Sequence, residues 1–116
     1  MQMKDFAEAE PLLRECLALR QKLEPDAWTT FNAQSMLGGA LLGQKKYADA
    51  EPLLLKGYEG MKHREDKMPK NSTRIPEAIE RLIELYTATD KPAEAAKWKA
   101  ERQKYPDKAA PPKPKK

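Results

Sequence analysis

The sequence holds a single cysteine, Cys16, so no disulfide can close within the chain. Its only histidine, His63, sits in Lys62-His63-Arg64-Glu65-Asp66-Lys67 with no second His or Cys at zinc-binding spacing. A solvated surface imidazole is expected there, with no metal site. Ser35 and Ser72 lie outside any Gly-x-Ser-x-Gly frame. Gly38-Gly39 and Gly43 are not followed by the Gly-Lys-Ser/Thr of a phosphate loop. Glu77, Glu80 and Glu84 share one helix face, but no pocket-forming segments flank them for acid–base work. The chain is therefore read as a non-enzyme, with no catalytic residues and no cofactor. Long apolar runs are also missing, so no membrane association is expected. Met1-Gln2-Met3-Lys4-Asp5 does not begin a secretory signal, and with one cysteine a cytoplasmic location fits.

Charge of one sign is scarce on the body. The net charge is +4, and Lys108, Lys113, Lys115 and Lys116 against Asp107 place +3 of it in residues 106–116. Nucleic-acid binding needs a basic stripe on the folded surface, and nothing of that kind is expected here.

What is present is a repeat. Phe6-Ala7-Glu8-Ala9-Glu10-Pro11-Leu12-Leu13 recurs as Tyr47-Ala48-Asp49-Ala50-Glu51-Pro52-Leu53-Leu54, 41 residues later. A third, weaker copy is Pro92-Ala93-Glu94-Ala95-Ala96-Lys97-Trp98. Phe6, Ala9, Leu13, Cys16, Leu17 and Arg20 keep the three-and-four spacing of one helical face, as do Tyr47, Ala50, Leu54, Gly57, Tyr58 and Met61. Cys16 takes the place of Gly57 in the later copy and is expected to be a small buried packing residue. Pro11 and Pro52, recurring in register, predict a tolerated bend near each helix start. Partner helices are predicted over 28–42, with Asp26 as its cap, and over 75–89, with Ser72 or Thr73 as cap and Pro76 in the first turn. Asp90 before Lys91-Pro92 predicts the start of a last helix over 92–104, docked by Ala95 and Trp98. The fold class is all-α: about five antiparallel helices in a helix-turn-helix repeat solenoid.

Leu37-Gly38, Ala40, Leu41, Tyr47 and Ala50 appear in the order of the tetratricopeptide repeat pattern, which the chain resembles. In the last unit Leu82, Tyr86 and Ala95 match, while Ile83 replaces the Gly and Pro92 the aromatic. The units exceed the usual ~34 residues. With Leu23-Glu24-Pro25-Asp26 and the Ala-Glu-Pro-Leu-Leu segment, they look like the long-period, kinesin-light-chain-like variety. Residues 37–61, followed by Glu77-Ala-Ile-Glu-Arg-Leu, are also similar to the C-terminal repeat regions of some bacterial serine/threonine protein kinases. No kinase signature is present, so the chain would be such an appended region or a free relative of it. The organisation expected is a helical domain over 4–104, made of a half repeat 4–23 and full repeats 26–66 and 72–104. A disordered Pro/Lys tail follows at 105–116.

The resemblance implies a protein- or peptide-binding module, acting through a concave surface lined by the first helix of each unit. The corresponding positions are Asn32, Ser35, Met36, Gly39, Leu42 and Gly43, then Glu77, Glu80, Arg81, Glu84, Thr87 and Ala88. The Lys/Asn carboxylate clamp of some members is not reproduced, and Ser35 and Met36 stand where kinesin-light-chain-like units carry Asn. Three glutamates against one arginine predict a basic peptide ligand. The half repeat leaves Phe6, Leu13 and Leu17 without a first-type partner before them, and exposing all three would be costly. The chain is then a fragment of a longer array, or a homo-oligomer that covers this face.

Overall fold

The computed structural model describes residues 3–70 and 72–105, and those residues form helices joined by short connections. The helices are α1 (Met3–Leu23), α2 (Trp28–Gly43), α3 (Tyr47–His63), α4 (Arg74–Ala88) and α5 (Pro92–Arg102), with a 3₁₀ turn at Glu65–Lys67. The expected all-α architecture is present, and successive helices pack antiparallel as helical pairs. The tail expected to be disordered lies, apart from Tyr105, outside the described residues.

The core runs between α2, α3, α4 and α5. It contains Leu41, Leu54, Met61, Ile79, Leu82 and Leu85, all essentially closed to solvent. The apolar stripe Ile75, Ile79, Leu82 and Tyr86 turns α4 inward. Helix α2 carries no charged residue, because it is sandwiched: α1, α3 and α4 all pack on it. Helices α2 and α3 approach closely where Gly38 meets Leu54. A Cβ on Gly38 would lie 2.8 Å from the Leu54 side chain.

Polar ties hold the pairs in register. Tyr86 Oη donates to Glu51 at 2.8 Å, joining α4 to α3. Tyr58 Oη donates to Glu101 at 3.0 Å, and the Tyr58 and Trp98 rings meet edge to face at 4.9 Å, docking α5. Arg102 pairs with Glu80 across α4 and α5 at 2.8 Å. Arg64 stacks 4.5 Å over the Phe31 ring and donates to the Asp26 carbonyl, closing the far end of the α2–α3 pair.

Both turns within pairs are built alike. Lys46 N–H donates to Leu41 C=O and Lys45 N–H to Leu42 C=O; Lys91 and Asp90 repeat this with Tyr86 and Thr87. Lys45 (φ 65°) and Asp90 (φ 59°) are left-handed, so each helix ends in a Schellman motif without glycine. This corrects the expected cap at Asp90, since Lys91 precedes α5. The cap of α2 is Ala27, not Asp26, whose carboxylate instead lies 3.6 Å from Arg64. Thr73 does precede α4, but its hydroxyl donates to the Glu77 side chain and caps no backbone group. Pro11 and Pro52 both lie inside their helices.

Glu10 joins α1 to the α2–α3 turn. It accepts from Gln44 Nε2 and Arg14 Nε, each at 2.8 Å, with Lys46 at 3.4 Å. The Gln44 hydrogen bond, then that of Arg14, holds its carboxyl down at about 2. A carboxyl lowered on folding contributes stability above its unfolded value of ~4.3 and loses it as pH falls toward the folded value. Wild type and Glu10→Gln should therefore differ in urea midpoint at neutral pH. They should converge as pH drops from about 4.3 to about 2; a gap that persists at pH 2 contradicts this.

Candidate functional site

Where α1, α2 and α4 meet, the surface opens into a cleft of about 230 Å³. That is below the ~300–1,000 Å³ of typical small-molecule pockets, so it suits a side chain or two. Phe6, Ala9 and Leu13 of α1 form one wall; Met36, Gly39, Ala40, Leu42 and Gly43 of α2 form the floor; Arg81 and Glu84 of α4 form the polar rim. The Phe6 ring lies flat on Gly43, where an added Cβ would fall 2.2 Å from it. Glycine at 43 is what lets α1 settle this close.

Arg81 crosses the floor from the neighbouring unit. Its Nη1 donates to Ser35 Oγ at 3.0 Å, and its Nε and Cδ lie over Gly39, where a Cβ would stand 3.0 and 3.1 Å from them. Burial pulls the guanidinium's pKa below its ordinary value, opposed by Glu77, Glu80 and Glu84 nearby. No carboxylate lies within ion-pair distance of it among the described residues. The guanidinium thus retains donors for an incoming acceptor.

The structure separates the residues expected to line a groove. Met36, Gly39, Leu42, Gly43, Arg81 and Glu84 converge on the cleft. Ser35 is fully buried beneath Arg81. Asn32 donates to the Met36 sulfur at 3.6 Å. Glu77 pairs with Arg74 at 3.2 Å and Glu80 with Arg102 at 2.8 Å, and neither lines the cleft. Two of the three carboxylates behind the expected basic ligand are thus engaged within the chain.

Phe6, Leu13 and Leu17 do not form an open face. Leu17 is buried against Ala33 and Leu37, and Phe6 and Leu13 are half-buried in the cleft wall. The reason is rotational: this stripe of α1 meets the following helix, whereas a preceding partner would meet another stripe. Cys16 lies on that other stripe and is exposed, contrary to the expectation of burial. Its mate Gly57 is buried because α2 lies on it, and no helix lies on the same side of α1 among the described residues. The wall formed by Phe6, Ala9 and Leu13 was missed from sequence, although the 41-residue offset carried the signal: it aligns Leu13 with Leu54, which packs on α2.

The remaining candidates are quiet. His63 is exposed at the end of α3. Among the described residues no group of His, Cys, Asp and Glu side chains is arranged to hold a metal ion, and no helix is long and apolar enough to cross a membrane.

Antiparallel helical pairs, stacked so that first helices share one side and a cleft opens between neighbouring units, define a helical-repeat scaffold. The family model for the tetratricopeptide repeat matches residues 1–63, and the chain belongs to that family. The match spans α1 to α3; α4 and α5 lie outside it and add a further pair. No curated protein and no solved structure matches the chain.

Proposed function

We propose that the chain is a protein-interaction scaffold that seats an apolar side chain of a partner protein in the α1–α2–α4 cleft. The observation that carries this is an apolar floor beside a half-buried guanidinium held by one hydroxyl. The anchor fills the space over Gly39 and Gly43, and an acidic group or carbonyl next to it accepts from Arg81. The 41-residue offset, with Leu23-Glu24-Pro25-Asp26 and the Ala-Glu-Pro-Leu-Leu segment, supports a long-period, kinesin-light-chain-like unit, and the resemblance of residues 37–61 supports an appended region of a kinase. In that setting it works in the cytoplasm as part of a larger bacterial protein such as a serine/threonine kinase.

Selection from a displayed random-peptide library tests the cleft. Bound peptides should share an apolar anchor next to Asp or Glu. Met36→Glu, at an exposed position on the cleft floor, should weaken them at least about tenfold, the order expected from placing a charge against a buried apolar anchor. Arg81→Met should remove the acidic preference while leaving the apolar one. Peptides whose affinity ignores Met36→Glu would place the binding surface elsewhere.

A further inference from the structure

The cleft is bounded at both ends, and the two ends carry opposite charges. Arg81 lies over Gly39 and the Phe6 ring over Gly43, so the apolar floor between them is about one helical turn long. Helices α2 and α4 run in the same direction, since each is antiparallel to α3. Glu84, three residues on from Arg81, therefore stands level with Leu42 and Gly43, at the Phe6 end. Glu84 is exposed, and its carboxylate makes no hydrogen bond or ion pair among the described residues. All of this lies on the side of α1 that faces α2, away from its outer stripe.

The two ends differ in what they let pass. Arg81 lies low, tied down to the buried Ser35, and a chain can cross above it. Phe6 is backed by the body of α1, so a chain lying along the floor stops there. An internal residue seated in the cleft needs an exit for the chain on both sides of it, whereas a terminal residue needs only one. The sign at the blind end then selects the terminus. The Glu84 carboxylate repels a C-terminal carboxylate and accepts strongly from an α-ammonium.

We infer that the cleft takes the free N-terminus of a partner chain whose first residue is apolar. The α-ammonium donates to Glu84, the first side chain fills the space between Phe6 and Arg81, and the carbonyl or acidic side chain that follows accepts from Arg81. Glu84 is then the residue that distinguishes a chain's start from the same residues placed internally. The partner runs antiparallel to α2 and α4 and leaves across Arg81 towards Asn32. The inference rests on the cleft as the binding site and adds which part of a partner is read there.

Fluorescence anisotropy tests it, with a short peptide that begins Leu-Asp and carries a fluorophore at its C-terminus. N-acetylation should weaken binding to the full chain about tenfold, the order set by one hydrogen bond to a charged group. Two glycines placed ahead of the leucine keep the positive charge but move it, and should weaken binding at least as much. Glu84→Gln should lower the free peptide to the affinity of the acetylated one and leave the acetylated one unchanged. Equal affinity of the free and acetylated peptides overturns the inference. If both peptides then still weaken with Met36→Glu, the cleft remains the binding site without it; if neither does, the cleft assignment falls as well. A preference for the free amine that survives Glu84→Gln also overturns the inference, as does a free peptide that fails to bind at about 1 mM.

Discussion

Leu54→Ala should cost about 3–4 kcal/mol of folding stability, while Leu13→Ala, at the same position one repeat earlier, should cost about 1. Leu54 is fully buried in the main core, beneath Gly38. Removing its branched end leaves a void that α2 and α4 cannot collapse into, since both are held by their own contacts. Leu13 stands half-buried at the cleft wall, so the same truncation enlarges a space already open to water. With a total stability of ~5–15 kcal/mol for a domain of this kind, the first change is severe. Urea unfolding followed by circular dichroism measures both. Equal losses at the two sites would contradict the packing asymmetry.

Gly57→Ala is expected to destabilise by about 1–2 kcal/mol, although alanine is the better helix former by ~1 kcal/mol. The added Cβ would stand 2.8 Å from Ser35 N and 2.9 Å from Phe31 O. Both are backbone atoms of α2, and they cannot swing aside as a side chain would. The two helices must part, and every contact along their line loosens together. Gly57→Leu should abolish cooperative unfolding. At the matching position of α1, Cys16→Leu should shift stability by less than about 0.5 kcal/mol, because the site is exposed. Thermal melts of the three variants decide the matter; a Gly57→Ala protein as stable as wild type would mean that the helices sit farther apart.

Fold and helix positions were legible because the repeat writes each element twice. Phe6 and Tyr47, or Leu13 and Leu54, fix a register that no single copy would. Helix caps were less legible: Asp26 and Asp90 are favoured cap types, but tertiary demands took both, one for Arg64 and one for a left-handed turn. The offset between copies also misled at Cys16. It transfers sequence position faithfully, but burial depends on what lies opposite, and α1 has no helix opposite that face among the described residues. For the groove, the resemblance to the repeat pattern pointed to Met36, Gly39, Arg81 and Glu84, which the structure brings together at the cleft. It could not show that Arg74 and Arg102 occupy Glu77 and Glu80, because Arg102 arrives from another helix.

The two left-handed turns bear on how such an array can vary. Lys45 and Asp90 carry opposite charges, yet each closes its helix with the same pair of backbone hydrogen bonds. The instruction to fold back is written in main-chain atoms, and the side chain at the corner takes no part in it. Architecture and surface chemistry are thereby uncoupled at that point. A lineage can repaint the edge of the molecule at its corners, from basic to acidic, while every helix stays where it was.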